Sequence, residues 1–436
     1  MVGEWTTAKI EDVSEKVAMG PFGSSIKVET FVPHGIPVIS GQHLHGSRLM
    51  DTDYNFVSLK HAEKLKNANV YRGDVVFTHA GNIGQVAFIP ASSRYERYVI
   101  SQRQFYLRPN LRKVLPEFIA YYFTSAEGQH KLLANTSSGV PSIAQPVSYL
   151  RTIEIPLPPL SEQRAIAHIL GTLDDKIELN RKMNRTLEAM AQAIFKSWFV
   201  DFDPVRAKAE GRDPGLPKAI ADLFPDAFED SELGEIPEGW EVGTLGEVAV
   251  HPRRGVQPAQ IEPDTPYIAL EHMPRRCIAL SDWGTAEGLE SNKFKFNAGE
   301  ILFGKLRPYF HKVGVAPVDG VCSTDIVVVA PRSSHWFGFV LGHVSSIPFV
   351  EYTNASSTGT KMPRTSWNDM ARCQVVIPPK PLAEAFTNQI NQTVDRIISS
   401  VHEFRTIAAL RDTLLPKLIS GELSLPDAEQ IIGRCV

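Results

Sequence analysis

Ile155-Pro156-Leu157-Pro158-Pro159-Leu160-Ser161-Glu162-Gln163-Arg164-Ala165-Ile166 marks the point where one kind of structure stops and another begins. The paired prolines Pro158-Pro159 belong outside a helix, and Ser161 follows them as the expected N-cap. From there Ile166, Leu170, Leu173, Ile177, Asn180, Asn184, Leu187, Ala191, Ile194 and Trp198 recur at alternating spacings of four and three. That is the a/d seam of a coiled coil, with a period of 3.5 residues. A straight helix of about 39 residues would run about 58 Å, more than a small domain needs to cover its core. Asn180 and Asn184 fall in mid-seam, where polar residues cost stability but fix register and partner.

The same transition returns further on. Ile377-Pro378-Pro379-Lys380 repeats Ile155-Pro156-Leu157-Pro158, Leu382-Ala383-Glu384 repeats Leu160-Ser161-Glu162, and Thr393-Val394-Asp395 repeats Thr172-Leu173-Asp174. A second seam follows through Ile390, Val394, Ile397, Val401, Phe404, Ala408, Arg411, Leu415 and Leu418. Arg411 interrupts it, and Pro416 is expected to kink or end the helix. Upstream, the segments starting at Trp5, Gly73 and Ser101 return at Trp240, Gly299 and Ser323. The chain therefore reads as two copies of one plan. The early loops differ in length between the copies, and the late framework does not.

The expected architecture is α+β: two similar globular domains and two long antiparallel helices of coiled-coil type. The boundaries are 1–155 for the first domain, 156–200 for its helix, 201–239 for an acidic linker, 240–377 for the second domain, 378–424 for its helix and 425–436 for a tail. Strands are expected at Val75–Thr78, Gln85–Ile89 and Gln104–Leu107, with counterparts at Ile301–Phe303, Val313–Ala316 and Ile326–Val329, and a helix over Pro116–Thr124. The linker holds turn signals and one short helix near Pro217–Leu223.

The 436 residues carry a formal net charge of −4, which by itself argues against a nucleic-acid partner. The distribution is uneven. Residues 201–239 hold 4 basic and 11 acidic residues, leaving 41 and 38 in the rest of the chain. Local patches must therefore decide. No apolar run is long enough to cross a membrane, and the first ten residues lack a signal-peptide core. Cys277, Cys322, Cys373 and Cys435 lie far apart and form no disulfide framework, which fits a reducing cytoplasm.

Polar and basic loops with aromatics interleaved lie between the expected strands. In the first domain they offer Ser24, Ser25, Lys27, Gln42, His79, Asn82, Arg103 and Ser138 as DNA-contacting candidates. In the second they offer Arg253, Arg254, Arg276, Lys305, Arg307, Tyr309, Lys312, Lys361 and Arg364. Arginine forks suit guanine O6 and N7, Asn and Gln suit adenine N6 and N7, and Lys and Ser often hold phosphates. Each such residue taken singly is also ordinary solvated surface. No phosphate-binding GxxxxGK[ST] loop, dinucleotide fingerprint, Asn-Pro-Pro-aromatic methyltransferase motif, HExxH pair or GxSxG elbow occurs. His43-x-His45 is a weak metal pair, and Asp226 with Glu229 and Asp230 lacks the lysine of a nuclease site. Together these absences argue for a binding protein with no catalytic or metal site of its own.

At this point the chain resembles the specificity subunits of Type I restriction–modification enzymes. The resemblance is carried by the quoted stretch, by Leu173-Asp174-Asp175-Lys176-Ile177, and by Trp198-Phe199-Val200-Asp201-Phe202-Asp203-Pro204. The re-entry Gly234-Glu235-Ile236-Pro237-Glu238-Gly239-Trp240 and the ending Leu414-Leu415-Pro416-Lys417-Leu418-Ile419-Ser420-Gly421-Glu422-Leu423 complete it. It implies two target recognition domains, each reading one half of a split DNA sequence, with the helices setting the unread spacer. It implies two methyltransferase subunits that supply S-adenosylmethionine binding and adenine-N6 methylation. Motor-nuclease subunits would bring ATP, Mg2+ and cleavage, so this chain itself would bind no cofactor. Three readings stay open beside it: service to a combined methylase–nuclease, a coiled-coil protein adaptor without DNA specificity, and an enzyme with an unrecognised site.

Overall fold

The computed structural model describes residues 5–23, 25–137, 141–359 and 362–435. Residues up to 175 together with those from 407 onward form one compact unit, and residues 176–406 form another. The long helices are Leu160–Phe199 and Lys380–Ile419, each of 40 residues. Neither stands as a segment of its own, because each contributes part of its length to both units.

The first unit is built on a short clasp and two sheets. Thr6–Lys9 pairs antiparallel with Glu154–Leu157, bringing the start of the domain to the foot of the first long helix. Ser14–Met19, Gln104–Pro109, Val75–Thr78 and Val86–Phe88 form an antiparallel sheet in that spatial order. Gln104 through Leu107 are all buried, so this central strand has protein on both faces. A five-stranded sheet follows the order Phe31–Val32, Asn55–Val57, Ile36–Ile39, Arg97–Ile100 and Asn69–Tyr71, with a parallel pair at its third and fourth strands. Val38, Ile39, Val76, Tyr98 and Tyr106 pack between the sheets. The helix Pro116–Thr124 fits its expected place, starting on a proline at its first turn and burying seven of its nine residues.

The second unit repeats this plan. Glu241–Thr244 clasps Gln374–Ile377, and Ala249–Val250, Ile326–Pro331, Ile301–Gly304 and Val313–Val315 form the matching four-stranded sheet. Its five-stranded sheet again holds one parallel pair, Pro266–Ile268 with Gly320–Cys322. The copies differ at the sheet edge. Phe31–Val32 adds beside the partner of Ile36–Ile39, whereas Gly255–Val256 adds at the opposite end, on Lys293–Phe296. Both copies keep a glycine with positive φ in the turn before the central hairpin, Gly73 at 90° and Gly299 at 83°. Its amide is tied back to the next strand, on Ile89 O in one copy and Ala316 O in the other. A side chain there would be strained by the backbone itself.

The helices differ from expectation at three points. The Pro159 carbonyl accepts from the amides of Glu162 and Gln163, so the first helix begins at Leu160 and Ser161 lies inside its first turn. The expected seam is buried from Ile166 to Asn184, but beyond it Glu188, Phe195, Trp198 and Phe199 are the buried positions, with Leu187, Ala191 and Ile194 at the margin. A helix of 3.6 residues per turn drifts off a strict 3.5 repeat, and here the stripe moves over to face the second domain. Pro416 does not end the second helix, which runs three residues further to Ile419. A proline in the last turn forfeits only one backbone bond, and Leu414, Leu415 and Leu418 are buried around it.

Arg411 does not break the packing. In the first unit its guanidinium bonds Asp174 of the other helix at 2.8 Å. In the second unit Lys176 meets Glu403 at 3.1 Å, and Arg181 lies over the Phe404 ring. Arg396 reaches the Met183 sulfur at 3.8 Å, so a step of seven residues up the first helix from Lys176 matches seven down the second from Glu403, which is the antiparallel sense. The expected seam of the second helix is buried at Ile390, Val394, Ile397 and Val401, and Ile407 joins it.

The acidic stretch 201–239 is folded and does not act as a linker. It forms helices Asp203–Ala209 and Lys218–Ala221 and a hairpin of Phe228–Ser231 with Gly234–Pro237. Phe202, Val205, Phe224 and Trp240 sit in the core of the second unit with Trp198 and Phe199. Its acids remain at the surface while its apolar residues supply the packing. The expected tail is the helix Leu425–Cys435, with Ala428 buried.

Candidate nucleic-acid interface

A main-chain frame gathers the recognition loops of the first domain. His79 N donates to Arg103 O at 2.9 Å, Ser101 N to Ile39 O at 2.9 Å, and Ile143 N to His79 O at 2.8 Å. Loops 40–43, 79–84 and 101–104 therefore meet at one end of the sheets, with 136–137 and 141–143 beside them. Side-chain amides lock them beneath. The Gln85 amide donates to the carbonyls of Gly41 and Leu44 at 3.0 and 3.2 Å, and its oxygen accepts from Thr78 Oγ1 at 3.2 Å. Buried Gln104 reaches Thr78 Oγ1 at 3.4 Å and accepts from Ser101 Oγ. Bonds of this kind hold irregular backbone that no ladder satisfies. Above them lies an open concavity of about 310 Å³, lined by Ile26, Phe31, Ser40, Asn55, Gln102 and Arg103 among others.

The second domain reproduces the frame with other side chains. Lys305 N donates to Asp325 O at 2.9 Å, Ser323 N to Ile268 O at 3.0 Å, and Thr365 N to Lys305 O at 3.1 Å. The bridge Ala80↔Ser142 of the first domain has its counterpart in Leu306↔Arg364. Here the turn Pro308–Phe310 is bracketed by Arg307 and His311, both left-handed at φ 51°. Arg253 and Arg276 are left-handed as well, at 47° and 52°. Such backbone costs energy for a residue with a Cβ, and it clusters where a rigid, pre-aimed side chain is useful. The Arg276 amide is held by His311 O at 2.8 Å, and His311 Nε2 lies 2.8 Å from Ser345 O. Burial lowers the His311 pKa, keeping this pivot neutral.

The predicted contact residues divide accordingly. Arg103, Arg253 and Arg276 are exposed and carry no ion pair among the described residues, as do Lys27 and Asn82. Gln42 is exposed on the turn Gly41–His43, and Tyr309 is 49% exposed. Lys305 is half-buried with no ion pair among the described residues. His79 is half-buried, with Nε2 3.2 Å from Gln102 O; burial lowers its pKa and holds it neutral. Ser25 Oγ is spent on Phe22 O at 2.9 Å, closing its own turn. Lys312 turns inward to the Leu270 carbonyl, and burial lowers its pKa. Arg254 is held by Glu300, and Arg364 stands 3.6 Å from Asp325. Ser24, Ser138 and Lys361 lie outside the described residues. Reading the sequence missed the Gln85–Thr78–Gln104 network, because single amides between strands carry no motif.

Each unit also seats one equivalent bridge on a buried acid of the first long helix. Phe88 N donates to Ser47 O in the first domain, and Val315 N to Ile278 O in the second. Asp174 Oδ2 accepts from Ser47 Oγ and Tyr121 OH, both at 2.9 Å. Glu188 Oε1 accepts from Ala279 N at 3.0 Å and from the Cys277 thiol at 3.3 Å. Burial raises the pKa of Glu188 against these bonds, and it raises the Cys277 thiol to about 12. Cys277 is thus an inert donor. No group of three or more His, Cys, Asp or Glu side chains fit to hold a metal occurs among the described residues. No helix among them is long and apolar enough to cross a membrane.

A duplicated α+β frame with basic loop clusters and a packed pair of long helices is the class of protein described so far. Residues 3–189 match the model of the family described as Type I restriction modification DNA specificity domain. The Type I restriction enzyme MjaIX specificity subunit of Methanocaldococcus jannaschii is 25% identical over 454 residues, covering 97% of this chain and 94% of that one. The HindI specificity subunit of Haemophilus influenzae is 26% identical, covering 81% of this chain and 87% of that one. The crystal structure of the Type-I restriction-modification system S subunit from M. genitalium shares the fold, with a TM-score of 0.53 at 15% identity over 95% of this chain and 96% of that one. The resemblance read from the sequence is borne out, and these matches support the chain as a specificity subunit of a Type I system.

Proposed function

We propose that this chain reads a split DNA sequence, one half with each domain, and has no catalytic role of its own. The observation that carries the reading is the duplicated loop frame. The same main-chain bonds present different polar and basic side chains in the two domains, as two readers of two unlike half-sites require. The long helices set the unread gap. Two methyltransferase subunits bind along the chain and supply S-adenosylmethionine and adenine-N6 methylation. Motor-nuclease subunits bring ATP and Mg2+. The near-balanced charge of the chain outside 201–239 implies weak, salt-sensitive DNA binding by the chain alone, with the partners completing the electrostatics.

The test is modification mapping. The chain is co-expressed with its cognate methyltransferase subunit, and the genomic DNA is sequenced by a method sensitive to N6-methyladenine. A split motif with a fixed gap, lost when this chain is omitted, supports the reading. A soluble complex that leaves no motif would refute it in favour of a protein adaptor.

A further inference from the structure

The two loop frames differ in where they carry arginine. The amide of Gly81 donates to Pro141 O at 3.4 Å in the first domain, and the amide of Arg307 donates to Pro363 O at 2.7 Å in the second. Gly81 and Arg307 therefore occupy one structural position, and both are left-handed, at φ 85° and 51°. Likewise Arg103 and Asp325 share a position, since their carbonyls accept from the equivalent amides of His79 and Lys305. The arginine has thus changed places. In the first domain Arg103 lays its guanidinium over Gly81, with Nη1 3.3 Å from where a Cβ would stand. In the second, the arginine grows from that turn itself, and Asp325 faces Arg364 instead. Each domain thus brings an arginine to the same turn from non-equivalent positions, Arg103 in the first and Arg307 in the second.

The second guanidinium lies beside an aromatic ring. Arg307 lies 6.0 Å and Arg275 4.1 Å from the Phe310 ring centroid. The shorter contact stacks Arg275 on the ring face, while Arg307 sits at the ring's margin, at the outer reach of a cation–π contact. Arg307 Nε is buried with no hydrogen-bond partner, and its backbone holds a conformation that a side chain makes strained. An arginine at so unfavourable a backbone position, with a buried donor unpaired, points to a ligand with paired acceptors.

We propose that Arg103 and Arg307 are the equivalent base readers of the two domains, each presenting its fork to O6 and N7 of a guanine in its own half-site. This rests on the DNA-reading function above and names its specificity residues. The experiment uses the full chain with its cognate methyltransferase subunit and duplexes carrying the mapped motif. Each guanine in turn is replaced by 7-deazaguanine, which lacks the N7 acceptor. In each half-site one replacement should slow methylation by about 10-fold or more with the wild-type complex. The R103A complex should become indifferent to that replacement in one half-site only, and R307A in the other only. The proposal is overturned if the wild type has no such guanine in either half. It is also overturned if the variants keep the wild-type profile or lose rate uniformly at every duplex, as a phosphate contact would. Should R307A prove insoluble, R307M keeps an unbranched stem but offers no donor, and a wild-type profile from it overturns the assignment. Absence of any split motif would instead sink the DNA-reading function itself.

Discussion

Replacing Asp174 by alanine tests whether the first domain is seated on the helix pair by a buried charge. Asp174 and Arg411 have side-chain exposures of 16% and 27%, and their atoms meet at 2.8 Å. The other carboxylate oxygen accepts from Ser47 and Tyr121. Removing one member of a buried pair costs about 3–5 kcal/mol, because the remaining charge is left desolvated. Arg411 keeps Asp412 at 2.7 Å, an exposed carboxylate, which places the ion-pair share near the lower limit. Ser47 and Tyr121 each lose an acceptor, worth about 1 kcal/mol apiece. The expected loss for D174A is therefore about 5 kcal/mol. D174N, which keeps one acceptor oxygen, should lose about half as much. In a double-mutant cycle with R411A the two losses should fall short of additive by about 1–3 kcal/mol. Urea unfolding of the full chain gives the magnitudes, and native-state hydrogen exchange locates them. The amides of Leu49 and Phe88, which close the bridge on the Ser47 loop, should exchange faster in D174A. Losses below about 1 kcal/mol, or strict additivity, would refute the seating argument.

Other expectations follow from the second unit and the helices. Burial against Phe195 and Phe339 lowers the His343 pKa to about 3 from 6.5, so the unfolded chain binds its proton first as pH falls. Stability from the neutral ring is complete above pH 6.5 and is lost toward pH 3, at about 1.4 kcal/mol per unit. H343L should flatten the wild-type stability profile by that slope in urea titrations between pH 6.5 and 5; parallel profiles would contradict it. E188A leaves the buried Ala279 amide without an acceptor and should cost about 2 kcal/mol in urea unfolding, while E188Q keeps the oxygen and should cost less than half of that. Because burial raises the Glu188 pKa, its protonated form contributes stability that is lost as pH rises through the folded value, and E188Q should remove that component. Deleting one heptad from each long helix should shorten the unread gap of the methylated motif and leave both half-sites intact; an unchanged gap would count against the helices as spacers.

Much of the frame was legible because it depends on period and punctuation. The alternating spacing from Ile166, the proline pair before it and the returning Gly73 and Gly299 segments are local signals, and the strands they imply lie where expected. Legibility failed where a tertiary partner decided the outcome. Arg411 reads as a flaw in a seam and is a cross-helix pin, since the spacing of one helix cannot reveal Asp174 on the other. The stretch 201–239 reads as linker because its charge dominates composition, while Phe202, Val205 and Phe224, with Leu216, Ile220, Leu223 and Phe228 packed against them, supply the core contact. At the loops, residue type picks out candidates but not their employment: Lys312 and Arg254 are tied inward, and Arg103 is exposed with no ion pair among the described residues. Burial and hydrogen bonding separate these cases, and neither is written in composition.

The division of labour between main chain and side chain explains how such a protein can diverge in what it reads while keeping its shape. The loop frame is closed by amide–carbonyl bonds that any non-proline residue can make, so it survives replacement of nearly every loop side chain. The costly constraints sit elsewhere: the positive-φ turns at Gly73 and Gly299, the buried polar network under the first domain, and the acids Asp174 and Glu188 at the helix. Those acids also show that the duplication is not strictly kept. Two copies related by equivalent positions would seat each domain on its own helix, yet both carboxylates come from Leu160–Phe199. The first long helix therefore supplies the acid of both bridges, while the second adds Arg411 to Asp174 and holds the second unit through His402 on Pro317 O and Arg405 on Ser281 O. Substitutions along the exposed face of the second helix should be tolerated without moving either set of loops, whereas a change at Asp174 or Glu188 displaces the loops of one domain and spares those of the other.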